Sequence, residues 1–124
     1  MAPREKLNFV INETSNNTGA TINLALNYGG RFDIISAINK ILKSKPNLEN
    51  FNENDFKKFT YNGDLPYPDL LIRTGGEKRL SNFLLWDLAY TELMFIDQMW
   101  PDFNSLILDK CIHTFNKRVR NYGV

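Results

Sequence analysis

The chain has 124 residues, enough for one domain, and a globular balance of 43% hydrophobic and 23% charged residues. Its 15 basic and 14 acidic residues leave a net charge of +1, so no global basic field supports nucleic-acid binding, and any anion site must be local. The single cysteine, Cys111, excludes an internal disulfide and a cysteine-built zinc cluster; no apolar run approaches the ~20 residues of a spanning helix, and no signal peptide is expected.

Pro3 to Asn16 reads as a helix carrying Leu7, Phe9, Val10 and Ile11, with Pro3 suited to its first turn. Asn16-Asn17-Thr18-Gly19 supplies the turn that ends it. From Thr21 to Tyr28, Ile22, Leu24 and Leu26 alternate with Asn23, Ala25 and Asn27, the pattern of a strand. Gly29-Gly30-Arg31 follows at once. Phe32 to Lys43 predicts a helix whose buried stripe is Ile34, Ile35, Ile38, Ile41 and Leu42, stopped at Pro46. Asn47 to Pro68 reads as a surface connection with a short helix around Asp55 to Phe59.

The densest signal lies between Asp69 and Glu92. Leu70-Leu71-Ile72 is a short apolar run between turn residues, the mark of a buried strand. Arg73 stands where that strand stops, and Gly75-Gly76 frees the backbone for a tight turn. Ser81 sits where an N-cap would stand before an apolar helix running to Tyr90. The order strand, Arg, glycine turn, Arg79, Ser81, helix gathers two guanidinium groups, free backbone N–H groups and a helix N-terminus. Such a gathering suits a phosphate or diphosphate. The competing reading is a solvated turn in which Arg73 pairs with Glu77.

Leu93 to Ile96 is a third short strand, and Trp100-Pro101-Asp102-Phe103 a turn. A last helix starts at Asn104 or Ser105 and runs to about Asn121. Leu108, Cys111, Phe115, Val119 and Tyr122 lie on one of its faces, and Lys117, Arg118 and Arg120 near its end. Strands alternating with helices predict an α/β fold, a mainly parallel sheet sandwiched by helices. Three strands make a narrow sheet with exposed edges, and a helix apolar on nearly every side needs cover. The chain therefore reads as part of something larger, with a homodimer expected.

Four stretches, LNYGGR at 26–31, DLLIRTGGEKRLSNFLLW at 69–86, AYTEL at 89–93 and WPDF at 100–103, resemble the C-terminal half of cis-prenyltransferases of the undecaprenyl diphosphate synthase kind. The resemblance covers nearly the whole chain, so residues 1–124 are expected to be the C-terminal portion of such a domain. It implies a transferase that condenses isopentenyl diphosphate onto an allylic (farnesyl) diphosphate with cis geometry. It further implies that Arg73, Arg79, Leu80 and Ser81 bind isopentenyl diphosphate, that Glu92 is associated with Mg²⁺, and that the enzyme is cytoplasmic, with peripheral membrane contact as its products grow.

The departures are as telling. The family's His-x-Gly-Asn-x-Arg-Trp block and its neighbouring catalytic Asp have no counterpart here. The allylic-diphosphate site is therefore expected only with the missing half, and the isolated chain is expected to be inactive. Lys78 stands where His is common, and Asp87 where a helix-surface Gln is common. Asn121-Tyr122-Gly123 replaces the family's Arg-x-Gly ending, leaving Arg120 as a substitute charge. The alternative to an enzyme portion is a non-catalytic partner subunit or a dimerisation fragment. Such partner subunits usually lack the substrate arginines that this chain keeps.

Overall fold

The computed structural model describes residues 2–44 and 46–118. Helix α1 spans Pro3–Thr14, and the Glu5 carboxylate accepts a hydrogen bond from the Ala2 N–H at 2.7 Å. Proline in its first turn costs nothing, because that N–H would be unpaired anyway. Helix α2 spans Gly30–Ser44 and α3 spans Glu53–Lys57. Asn52 caps α3 by accepting from the N–H groups of Asn54 and Asp55, at 2.9 and 3.3 Å. Strands β1, Leu70–Arg73, and β2, Glu92–Phe95, pair in parallel with Leu70 opposite Glu92 and Arg73 opposite Phe95. A 3-10 turn at Trp100–Asp102 leads to α4, Ser105–Asn116, whose N-cap is Asn104 through the Ile107 N–H at 3.2 Å. The fold is α/β with a parallel sheet, as expected.

Two expected elements did not form. Thr21 to Tyr28 is not a strand: the sheet of the described residues contains only β1 and β2. A strand exists through its ladder, and no described backbone pairs with this segment. Its apolar side chains stand in the open, Ile22 84% exposed and Leu24 65%. Nor do residues 81–90 form a helix. Ser81, Asn82 and Leu84 all have positive φ, +48°, +65° and +43°, which a right-handed helix forbids. The Asn82 carbonyl, which in a helix would face the Trp86 N–H, accepts instead from the Gly30 N–H at 2.7 Å. A long-range hydrogen bond has overridden the local helical pattern.

The core is correspondingly small. Ala37, Leu88, Met94 and Cys111 are its buried apolar side chains among the described residues. The face that α2 buries is only partly the expected isoleucine stripe: Gly30, Asp33 and Ala37 are buried and Ile34 and Ile41 half-buried, while Ile35, Ile38 and Leu42 are exposed. Cys111 of α4 is buried as expected, Leu108 is more open, and Val119, Arg120 and Tyr122 lie outside the described residues. Asp87, expected on a helix surface, is 3% exposed.

Candidate functional site

The sheet fixes the first member of the site. Arg73 is the last residue of β1, and its carbonyl accepts from the Ile96 N–H at 2.9 Å, so its backbone is pinned by the neighbouring strand. From that anchor the guanidinium reaches across the glycine turn. Arg73 Nη1 donates to Ser81 Oγ at 3.0 Å and to the backbone carbonyl of Arg79. Arg73 therefore meets Ser81 and the backbone of Arg79, but the two guanidinium groups are not brought together by these contacts. Arg79 ion-pairs with Glu77, both side chains more than half exposed. The pairing expected under the competing reading, Arg73 with Glu77, is not the one that forms. Leu80, half-buried, sits in the same turn, and its carbonyl accepts from the Phe83 N–H at 3.0 Å.

Two other expected contributions are absent. Gly75 and Gly76 do adopt positive φ, +89° and +75°, the conformation that glycine tolerates best. Their N–H groups are not free, however: Gly75 donates to the Gln98 carbonyl at 2.8 Å and Gly76 to that of Ile96 at 2.9 Å. They stitch the turn to the segment after β2. With no helix starting at Ser81, that segment supplies no helix N-terminus to the cluster either. What remains for an anion is guanidinium charge and the Ser81 hydroxyl, on an open rim. A cavity of ≈560 Å³ between Tyr67, Trp86 and Tyr90 includes none of these residues.

Glu92 opens β2 three rungs from the Arg73 level, about 10 Å along the strands at ~3.3 Å per residue. Its carboxylate accepts from Arg118 Nη1 at 2.7 Å. No cluster of three or more His, Cys, Asp or Glu side chains able to hold a metal occurs among the described residues. Glu92 thus lies at the end of the sheet opposite Arg73, its carboxylate held by Arg118.

The turn carrying Ser81 is held from a second side, through contacts that the sequence pattern did not point to. The Asn82 carbonyl bonds Gly30, and its side-chain Oδ1 accepts from the Arg31 N–H at 2.9 Å. Next to this junction lies a buried polar group. Asp33, 3% exposed, accepts from the Tyr28 hydroxyl at 2.9 Å and from the Tyr61 N–H at 3.0 Å. Burial, and then the hydrogen bond to Asp33, hold the Tyr28 hydroxyl protonated far above its ordinary range. Tyr28 meets Tyr61 and Phe83 edge-on, with ring centres 6.3 and 5.9 Å apart. Asp87 lies 4.0 Å from the buried Lys57 ammonium and accepts from Asn62 Nδ2 at 3.4 Å. Its other oxygen, Oδ1, has no hydrogen-bond partner, and burial raises its pKa above the usual carboxylate range.

The chain resembles known proteins over most of its length. The family model described as "Putative undecaprenyl diphosphate synthase" matches residues 2–123. An isoprenyl transferase of Fusobacterium nucleatum is 51% identical over 111 residues, which is 90% of this chain and 47% of that protein. A ditrans,polycis-undecaprenyl-diphosphate synthase ((2E,6E)-farnesyl-diphosphate specific) of Blochmanniella floridana is 48% identical, with 89% and 46% covered. The crystal structure of lavandulyl diphosphate synthase from Lavandula x intermedia in complex with dimethylallyl diphosphate superposes with a TM-score of 0.88. It is 31% identical, with 95% of this chain and 52% of that one covered. The chain thus spans about half the length of the curated relatives it matches.

Proposed function

The chain belongs to the undecaprenyl diphosphate synthase family of cis-prenyltransferases, and on that premise we propose that it carries the isopentenyl-diphosphate-binding portion of such a transferase. The reaction joins isopentenyl diphosphate to an allylic, farnesyl-type diphosphate with cis geometry. The observation that carries this reading is the reach of Arg73, from the carboxyl end of β1, to Ser81 Oγ and to the backbone of Arg79. A planar guanidinium offers paired donors to a diphosphate, and Arg73 is already aimed by its bond to Ser81. Arg79, whose partner Glu77 is a solvated carboxylate, exchanges that weak pair for the ligand. Leu80 lines the same turn.

In this reading Glu92 would be one carboxylate associated with Mg²⁺ in the whole enzyme, where the ion would supply positive charge to the diphosphate. Exposed apolar residues on α1 and α2 and in the 20–26 segment are the surface for the rest of the domain or for a second copy in a homodimer. No described helix is long and apolar enough to cross a membrane, which leaves membrane contact as peripheral in this proposal. The reading as a non-catalytic subunit is disfavoured by the retained arginines.

Titration calorimetry with isopentenyl diphosphate tests the proposal. The chain is expected to bind it, and Arg73→Ala or Arg79→Ala to weaken binding at least about tenfold, equivalent to ~1.4 kcal/mol. Arg→Lys should recover only part of the loss. Incubated with radiolabelled isopentenyl diphosphate and farnesyl diphosphate, the chain alone is expected to make no long product. Binding that is indifferent to both arginines would refute the site.

A further inference from the structure

We propose that Asn82 is a positioning residue: it fastens the Ser81 turn to the start of α2 and so holds Ser81 and Arg79 where Arg73 and a diphosphate can meet them. This inference rests on the reading of Arg73, Arg79 and Ser81 as the diphosphate site. It starts from a missing cap. The residue before α2 is Gly29, which has no side chain to satisfy the open N–H groups of the first turn. Asn82, 51 residues further along the chain, supplies what Gly29 lacks. Its carbonyl accepts from Gly30 at 2.7 Å and its Oδ1 from Arg31 at 2.9 Å.

Space confirms that the two parts are built for each other. A Cβ added to Gly29 would stand 3.0 Å from Asn82 Nδ2, and one added to Gly30 would stand 3.0 Å from the Asn82 carbonyl and 2.8 Å from Leu85 Cγ. Neither glycine has positive φ, so both are required by this close approach rather than by backbone conformation. On the turn's other side, Arg73 grips the residue just before Asn82 through Ser81 Oγ. Ser81, Asn82 and Leu84 all hold left-handed backbone, a costly state that persists only where surrounding contacts impose it. Asn tolerates that backbone better than most residues, which suits it to position 82. Arg73 and the Asn82 clasp are the contacts that impose it. Removing the clasp frees the turn, and Ser81 and Arg79 lose their fixed place beside Arg73.

The test separates holding the site from merely capping a helix. Asn82→Gly keeps the left-handed backbone and the main-chain carbonyl but deletes the side-chain acceptor. It is expected to weaken isopentenyl diphosphate binding roughly fivefold, the order of one lost neutral hydrogen bond. It should also speed hydrogen exchange at the Arg31 amide. Adding Gly29→Ser to Asn82→Gly puts a local cap on α2, in space that Asn82 Nδ2 no longer fills. In the double variant, exchange protection at the start of α2 should return while binding stays weak. Restored binding in the double variant, or unchanged binding in Asn82→Gly, would overturn the inference. Should the single variant not fold, the capped double variant carries the same comparison with the parent chain. If the parent chain itself does not bind isopentenyl diphosphate, or binds it equally with Arg73→Ala, the site reading falls and takes the inference with it. If Arg73→Ala weakens binding and Asn82→Gly does not, only the inference falls.

Discussion

Gly29-Gly30 and Gly75-Gly76 look alike in the sequence: each pair follows an apolar run and precedes charged residues. The structure uses them for opposite reasons. At Gly75-Gly76 the backbone is left-handed, and an added Cβ would meet nothing closer than 3.7 Å at Gly75 or 3.5 Å at Gly76. Glycine is needed there for conformation. At Gly29-Gly30 the φ values are ordinary, and the space is occupied by Asn82 and Leu85. Glycine is needed there for closeness. One pair makes a turn that stitches β1 to the segment after β2, and the other lets a distant turn dock on α2. A glycine pair in a sequence therefore marks a constraint without saying which kind.

Substitution separates the two kinds. The largest effect is expected at Gly30, where alanine collides with backbone atoms of Asn82 and Leu85 that cannot swing aside. Gly30→Ala should cost about 1–3 kcal/mol in chemical denaturation, and Gly30→Asn at least as much. Gly75→Ala should cost roughly 1–2 kcal/mol, the strain of left-handed backbone. There Asn should recover part of the loss, because it tolerates that conformation and the space is open. If Asn rescued position 30 and failed at position 75, the distinction would be wrong.

A pH-dependent effect comes next. The buried Asp87 has its pKa raised in the fold, so the folded chain holds its proton more tightly than the unfolded chain does. Its contribution to stability is therefore most favourable below the unfolded carboxylate range and declines as pH rises toward the raised folded value. Thermal unfolding followed from acid to neutral pH should show this decline, and Asp87→Asn should flatten it. The smallest effect is expected for Glu77→Gln, which breaks only the exposed pair with Arg79 and should change stability by less than about 1 kcal/mol.

Much of this was legible in the residues. The helices at Pro3–Thr14, Gly30–Ser44 and Ser105–Asn116, both strands of the sheet and their parallel sense follow from periodicity and turn chemistry. So does the contact of Arg73 with Ser81 and the Arg79 backbone, because a strand end and a following turn bring near neighbours together. What was not legible depends on partners far along the chain. Residues 21–28 have a strand's alternation but no described strand to pair with, and alternation alone makes no ladder. The apolar run 83–90 has a helix's composition, yet the Asn82–Gly30 bond diverts its backbone. Asn82 itself gave no signal, since an Asn after Ser81 looks like ordinary turn chemistry until Gly29 is seen to lack a cap. Asp87 was misplaced for the same reason: without the helix, it turns inward toward Lys57 and Asn62.

The most direct test of the site is amide NMR of the ¹⁵N-labelled chain titrated with isopentenyl diphosphate. The largest shifts are expected at Arg73 and from Arg79 to Asn82, with smaller ones at Gly30 and Arg31. The Gly75 and Gly76 amides should stay protected from exchange throughout, held by the Gln98 and Ile96 carbonyls. Shifts centred elsewhere, or Gly75 and Gly76 released from those carbonyls to bind the ligand, would contradict a site built from guanidinium groups on a pinned turn.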